Sequence, residues 1–186
     1  VLATDRRGGY MSTTIAGCNT RKYHGLMVAP IDQSDRTYVL LSSLDETVVQ
    51  HEQSFNLALH RYEGTYEPRG HKYITDFEYT PTPTITYRVG GVILKKELLW
   101  IHNRTQLMIR YTLVDAHSET TLRLRPLLAF RDKHALSKAN MEADGRAYPI
   151  PHGVKCRLYE GFPWLYMQLN KEDAEFIAAP DWYYNF

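Results

Sequence analysis

Apolar and polar residues alternate along most of this chain. Between positions 82 and 131, Ile85, Tyr87 and Val89 are separated by polar neighbours, and Gly90-Gly91 follows. Val92, Leu94, Leu98 and Trp100 resume the same spacing, with Lys96 the charged residue that interrupts the series. A period of two belongs to strands, because successive side chains point to opposite faces. A glycine pair between two such runs predicts a hairpin. His102-Asn103-Arg104 and Asp115-Ala116-His117-Ser118 predict two more turns, and between them Leu107, Ile109, Tyr111 and Leu113 share a face. Leu122 and Leu124 then alternate with Arg123 and Arg125. Three turns at short intervals predict an antiparallel meander, as in a β-sandwich.

The rest of the chain carries the same signal less regularly. Residues 22–28, 37–44, 48–51 and 55–61 read as strands, and Pro81 and Pro83 belong at an edge or bulge because proline cannot donate to a ladder. Residues 133–153 are polar and rich in turn formers, which predicts a long excursion with one helical turn over 135–140. Strands are expected to return at 154–159, 164–169 and 175–178. With no sustained amphipathic helix and no repeat, the expected architecture is a single all-β domain over residues 1–186, built as two extended sheets.

Composition narrows the function. Hydrophobic residues make up 44%, enough for a core. A net charge of +1 with scattered basic pairs lacks the concentrated basic face that nucleic acid or an anionic membrane demands. No apolar run is long enough for a membrane-spanning helix, and no secretory leader opens the sequence, so a cytoplasmic location is expected. Cys18 and Cys156 match no zinc or redox spacing and read as buried free thiols. Asn103-Arg104-Thr105 fits a glycosylation sequon but reads as a turn. Tyrosine outnumbers phenylalanine 14 to 6, which suits strands and also surfaces that hold sugars. Both ends read as cut, since Val1 opens inside a strand-like run and Trp182-Tyr183-Tyr184-Asn185-Phe186 calls for a cover.

Catalytic signatures are sparse. The eight histidines form no metal-ligand spacing, so no metal and no cofactor is expected. Arg6-Arg7-Gly8-Gly9 lacks the lysine and spacing of a phosphate loop, and no nucleophile elbow is present. Glycoside hydrolysis needs two carboxylates across a cleft. Glu46, Glu52, Glu63, Asp76, Glu78 and Asp132 are formally available, but each except Asp132 reads as a solvated carboxylate.

Three segments concentrate chemistry. In the first, Gly17-Cys18-Asn19-Thr20 leads into Arg21, Tyr23 and His24, whose donors and aromatic faces suit sugar hydroxyls or, alternatively, loop carbonyls and a neighbouring domain. Pro68-Arg69-Gly70-His71-Lys72-Tyr73 reads as a turn entering a strand. In the third, an apolar strand ends in Arg131, Asp132, Lys133 and His134 just before the long excursion, which makes either a site edge or a structural pair at a domain interface.

The runs Gly8-Gly9-Tyr10, Asn19-Thr20-Arg21-Lys22-Tyr23-His24-Gly25-Leu26, Pro68-Arg69-Gly70, Tyr87-Arg88-Val89-Gly90-Gly91 and Arg125-Pro126-Leu127-Leu128-Ala129-Phe130-Arg131-Asp132 resemble, in order, the N-terminal domain of bacterial and archaeal glycogen debranching enzymes. That resemblance implies an antiparallel β-supersandwich, mutarotase-like and similar to the domain that precedes the catalytic toroid of glucoamylases. It implies a parent amylo-α-1,6-glucosidase whose acid and base carboxylates lie in a C-terminal (α/α) toroid. Nothing here reads as that toroid, so the chain alone is expected to be inactive, with no catalytic residue of its own. The toroid and an α-glucan (glycogen or limit dextrin) are the implied partners. The candidate substrate contacts are Arg21, Tyr23, His24, Arg131, Asp132 and His134. Two other readings stay open: a free-standing carbohydrate-binding module, and a mutarotase-like sugar epimerase working through a histidine and a carboxylate.

Overall fold

The structure is a computed structural model that describes residues 1–31 and 36–186. In chain order its strands begin with β1 (Leu2–Thr4), β2 (Tyr10–Ser12), β3 (Gly25–Pro30), β4 (Thr37–Gln50) and β5 (Gln53–Asn56). They continue with β6 (His60–Tyr62), β7 (Thr65–Glu67), β8 (Ile74–Glu78), β9 (Thr84–Val89) and β10 (Val92–Trp100). The last are β11 (Leu107–Asp115), β12 (Thr121–Asp132), β13 (Tyr148–Ile150), β14 (Gly153–Cys156) and β15 (Leu165–Gln168). A short 3-10 turn, Gly70–Tyr73, leads into β8. The all-β expectation holds.

Two large antiparallel sheets face each other. One runs β1-β2-β3-β4-β12, with β5 also paired to β4, and the other runs β11-β10-β9-β8. Between them Val48 of β4 packs with Ile85, Tyr87 and Val89 of β9 and with Val92 and Leu94 of β10. Met11 of β2 meets Leu98 and Trp100 of β10. The hairpin turns at Gly90-Gly91, both at positive φ, where glycine carries little cost. On its other side the six-stranded sheet is covered by a three-stranded sheet, β13-β14-β15, through a cluster of Leu26, Leu40, Leu41, Phe130 and Leu165. β4 is therefore buried on both faces, and its sequence accordingly lacks clean alternation.

Local pattern and long-range pairing diverge in several places. The segments expected at 37–44 and 48–51 are one 14-residue strand, β4. The run expected at 55–61 divides into β5 and β6 around buried Leu57, Ala58 and Leu59. The meander stops at β11. β12 crosses to the other sheet and pairs with β4 from Thr121↔Val49 to Asp132↔Tyr38. Alternation reports that a strand exists, whereas the choice of neighbour depends on residues far away in sequence. Pro81 and Pro83 fall between β8 and β9, outside any strand. No helical turn forms over 135–140. Asn140 instead folds the loop by accepting from the backbone N–H groups of Glu142 and Ala143, both at 3.0 Å. Residues 175–178 form no strand.

Three charged groups lie where the pattern predicts apolar ones or solvent. Glu46 of β4 and Lys96 of β10 are 4% and 7% exposed, and their charged ends pair across the sandwich. The Tyr111 hydroxyl of β11 donates to the same Glu46 oxygen at 2.6 Å. Next to Glu46, Asp45 points to the opposite face and pairs with His60 Nε2 at 2.8 Å. Neither carboxylate is solvated. Lys96 falls on the inward face of β10 and is completed by Glu46 because a buried ammonium requires a partner. Cys18 and Cys156 are free and buried, and burial raises both thiols above their ordinary range.

Candidate functional site

The first and third sequence segments meet at the end of β12. The register of β12 against β4 slips between Leu128↔Leu41 and Arg131↔Val39, so two residues, Ala129 and Phe130, oppose one. Phe130 sits at φ 46, a conformation that bulky side chains resist, while its ring is buried in the central cluster. The bulge holds Phe130 inward and re-aims Arg131 toward the loop before β3.

Arg131 spends its guanidinium on backbone carbonyls. It donates to Lys22 O at 2.6 Å, Ala135 O at 2.8 Å and Asp132 O at 3.3 Å, which clamps the loop before β3 to the turn after β12. Half-burial pushes it below its ordinary value, opposed by nearby Tyr10 and Asp132. Lys22 Nζ crosses the other way to His134 O at 3.3 Å. The Tyr10 hydroxyl donates to Tyr23 O at 3.0 Å, so β2 also steadies this loop. Asn19 ties its base to β4, donating to Ser42 O at 2.8 Å and accepting from the Thr13 hydroxyl at 3.2 Å.

On this frame stands an exposed polar and aromatic group. Tyr23 OH and His134 Nδ1 are 3.2 Å apart, and their rings meet edge-on at 5.5 Å. Asp132 Oδ1 accepts the His134 backbone N–H at 2.8 Å, and Lys22 Nζ lies 5.3 Å from the Tyr23 ring centre. Tyr23 is 42% exposed, and His134 is also exposed. The group offers a hydroxyl, an imidazole, a carboxylate and an ammonium around an aromatic face. These are the donors, acceptors and flat surface that recognise sugar hydroxyls.

Of the six candidate contacts, the structure brings four together: Tyr23, Arg131, Asp132 and His134. Arg131 acts there as the clamp. His24 turns back on its own loop, where its Nδ1 accepts the Thr20 N–H at 3.1 Å. Burial, then the neighbouring Arg21 guanidinium, pushes the His24 imidazole below its ordinary value. Arg21 is exposed at the tip of the same turn, and its carbonyl accepts the His24 N–H at 2.9 Å. Lys22 was not singled out by sequence, although it lies inside the motif. The His60–Asp45 pair was also missed. It is sealed beneath the rings of Phe186, Tyr62 and Tyr183, with the Phe186 centroid 4.9 Å from the imidazole.

Several glycines of the motifs serve packing. A Cβ on Gly70 would collide with the Leu57 backbone, and the Gly70 N–H donates to Ala58 O at 2.9 Å. A Cβ on Gly25 would come within 2.8 Å of Val28 and 2.9 Å of Val39. Asp5 accepts the N–H groups of Arg7 and Gly9 at 2.7 and 3.0 Å, and a Cβ on Gly9 would strike that carboxylate. Gly9, Gly25 and Gly70 thus each permit a close approach of backbone or side chain.

A family described as glycogen debranching enzyme N terminal matches residues 1–186, the whole chain. The chain belongs to that family. As a glycogen debranching enzyme N-terminal domain, it is a part of a larger debranching polypeptide. The two motifs most specific to the resemblance are the ones that lace together around Arg131 in this debranching domain. No curated protein and no solved structure matches the chain. Among the described residues, no group of three His, Cys, Asp or Glu side chains could hold a metal, and no helix is long and apolar enough to cross a membrane.

Proposed function

We propose that this chain is the non-catalytic N-terminal domain of an amylo-α-1,6-glucosidase, that it braces a C-terminal toroid, and that it lends the cluster around Tyr23 and His134 to the glucan cleft. The observation that carries the reading is that cluster: exposed, polar, aromatic, and clamped by Arg131 through both family motifs. Asp132 is its carboxylate, whereas hydrolysis with acid and base needs two. A surface of 11941 Å² supports the bracing role. A compact monomer of this mass exposes about 9,200 Å², so ample surface remains for a partner domain to cover. Glycogen breakdown of this kind is cytoplasmic work, and the same location is proposed for the parent enzyme.

The epimerase reading requires a histidine and a carboxylate open to a sugar. Asp132 is bonded to the His134 backbone N–H and not to its imidazole, and the His60–Asp45 pair, joined through its side chains, is 2% and 8% exposed, which favours a structural role. The test is a titration of the purified chain with maltoheptaose and with branched limit dextrin, run beside a glucose-release assay. Binding without release is expected. Glucose release that survives repurification would overturn the reading, since it would place a working carboxylate pair within these residues.

A further inference from the structure

The three-stranded sheet carries a cluster that the glucan reading does not use. Tyr148 of β13, Lys155 of β14 and Tyr166 of β15 stand in register across it, so their side chains share a face. At the edge of that face the Trp164 indole meets the Tyr148 ring edge-on, with centroids 5.3 Å apart. Two cations converge on the indole: Lys155 Nζ is 4.6 Å and Arg157 Cζ 4.5 Å from its centre.

A third cation, Arg146, lies 5.3 Å from the centre of the Tyr148 ring but is already neutralised. Its Nε and Nη2 donate to the two oxygens of Asp144 at 2.8 and 3.0 Å, and the Tyr148 hydroxyl donates to the same carboxylate at 3.0 Å. Lys155 and Arg157 have no such partner. Among the described residues neither forms an ion pair or a side-chain hydrogen bond. Two like charges are thus held within the sum of their distances to one ring centre. The indole π system attracts both, and neither has a carboxylate within ion-pair distance among the described residues. An anion bound by both would fill the unused guanidinium fork and ammonium donors. A phosphate dianion matches a fork plus a point charge, and exposed Tyr166 beside it offers a flat face to a sugar ring.

We propose that Lys155 and Arg157, held on Trp164 beside Tyr166, form a binding site for a phosphate dianion, either free or carried on a sugar. The test is calorimetric titration of the protein with inorganic phosphate and with glucose 6-phosphate at constant ionic strength. Saturable binding of at least one is expected, weakened about tenfold or more in Lys155→Gln/Arg157→Gln, because a charge-assisted fork and a point charge are both lost. Tighter binding of the sugar phosphate names a sugar-borne ligand, and equal binding names the free anion. Arg157→Lys keeps the charge and removes the fork, so it should weaken binding while preserving the melting temperature. No saturable binding of either phosphate would overturn the proposal, as would unchanged binding in a folded double variant.

Discussion

Lys96→Met is the sharpest test of how this sandwich is held together. The substitution keeps most of the volume of the lysine stem but removes the ammonium that faces Glu46. Both side chains are nearly sealed, at 7% and 4% exposure, so bulk water does not reach the carboxylate left behind. The Tyr111 hydroxyl still donates to Glu46 at 2.6 Å, but one neutral hydrogen bond does not balance a buried carboxylate. Breaking a buried pair by removing one partner costs ~3–5 kcal/mol. With a urea slope of about 2 kcal/mol/M, the unfolding midpoint should fall by about 1.5–2.5 M. Glu46→Leu/Lys96→Met/Tyr111→Phe removes all three polar ends together and should recover most of that loss, because nothing is left buried and unpaired. Equilibrium urea unfolding followed by circular dichroism measures both. A midpoint within about 0.3 M of the parent for Lys96→Met, given that slope, would refute the reasoning. A triple variant no more stable than the single one would refute it equally.

Three further outcomes are expected. Gly70→Ala should destabilise by about 2 kcal/mol or more, since the new methyl meets the Leu57 backbone, whereas Gly64→Ala, at φ 77 in an open turn, should cost only about 1 kcal/mol; thermal melting compares them. Tyr111 is held well above its ordinary value by burial first and then by Glu46. A folded value raised above the unfolded one leaves its stability contribution intact below pH about 10 and removes it as pH rises further, so Tyr111→Phe should flatten the alkaline loss of stability. The His24 imidazole should titrate below the ordinary histidine range, and Arg21→Ala should move it upward by removing a like charge; the ring-proton resonances report both.

Much of this fold was legible because one half of it is local. The Gly90-Gly91 hairpin, the turn at Asn103 and the inward series from Ile85 to Trp100 follow from alternation and from residues that tolerate positive φ. Lys96 was the visible anomaly in that series. A charged residue on an inward face announces a buried partner, yet only the crossing of β4 over β10 identifies it as Glu46. The departure of β12 for the other sheet was not legible, since Leu122 and Leu124 alternate in the same way whichever neighbour they find. At the candidate site, the two motifs were visible as separate segments. Their meeting depends on the bulge at Phe130, which turns Arg131 onto the Lys22 carbonyl and leaves Tyr23 facing His134. Sequence grouped His24 with Tyr23 as neighbours, whereas a tight turn sends the imidazole back to the Thr20 amide. His60 and Asp45 carried no spacing signal, because the strands β4 and β6 bring them together.

The central claim is that this domain contacts glucan through the clamped loop pair. It is tested most directly by following the backbone amide resonances of the isolated chain during a maltoheptaose titration. The account predicts saturable shifts that cluster at residues 20–24 and 131–135 and disappear in Tyr23→Ala/His134→Ala, a pair of exposed substitutions that should leave the remaining spectrum folded. Shifts confined to another face, or none at saturating sugar, would contradict it and leave a bracing role as the function of these motifs.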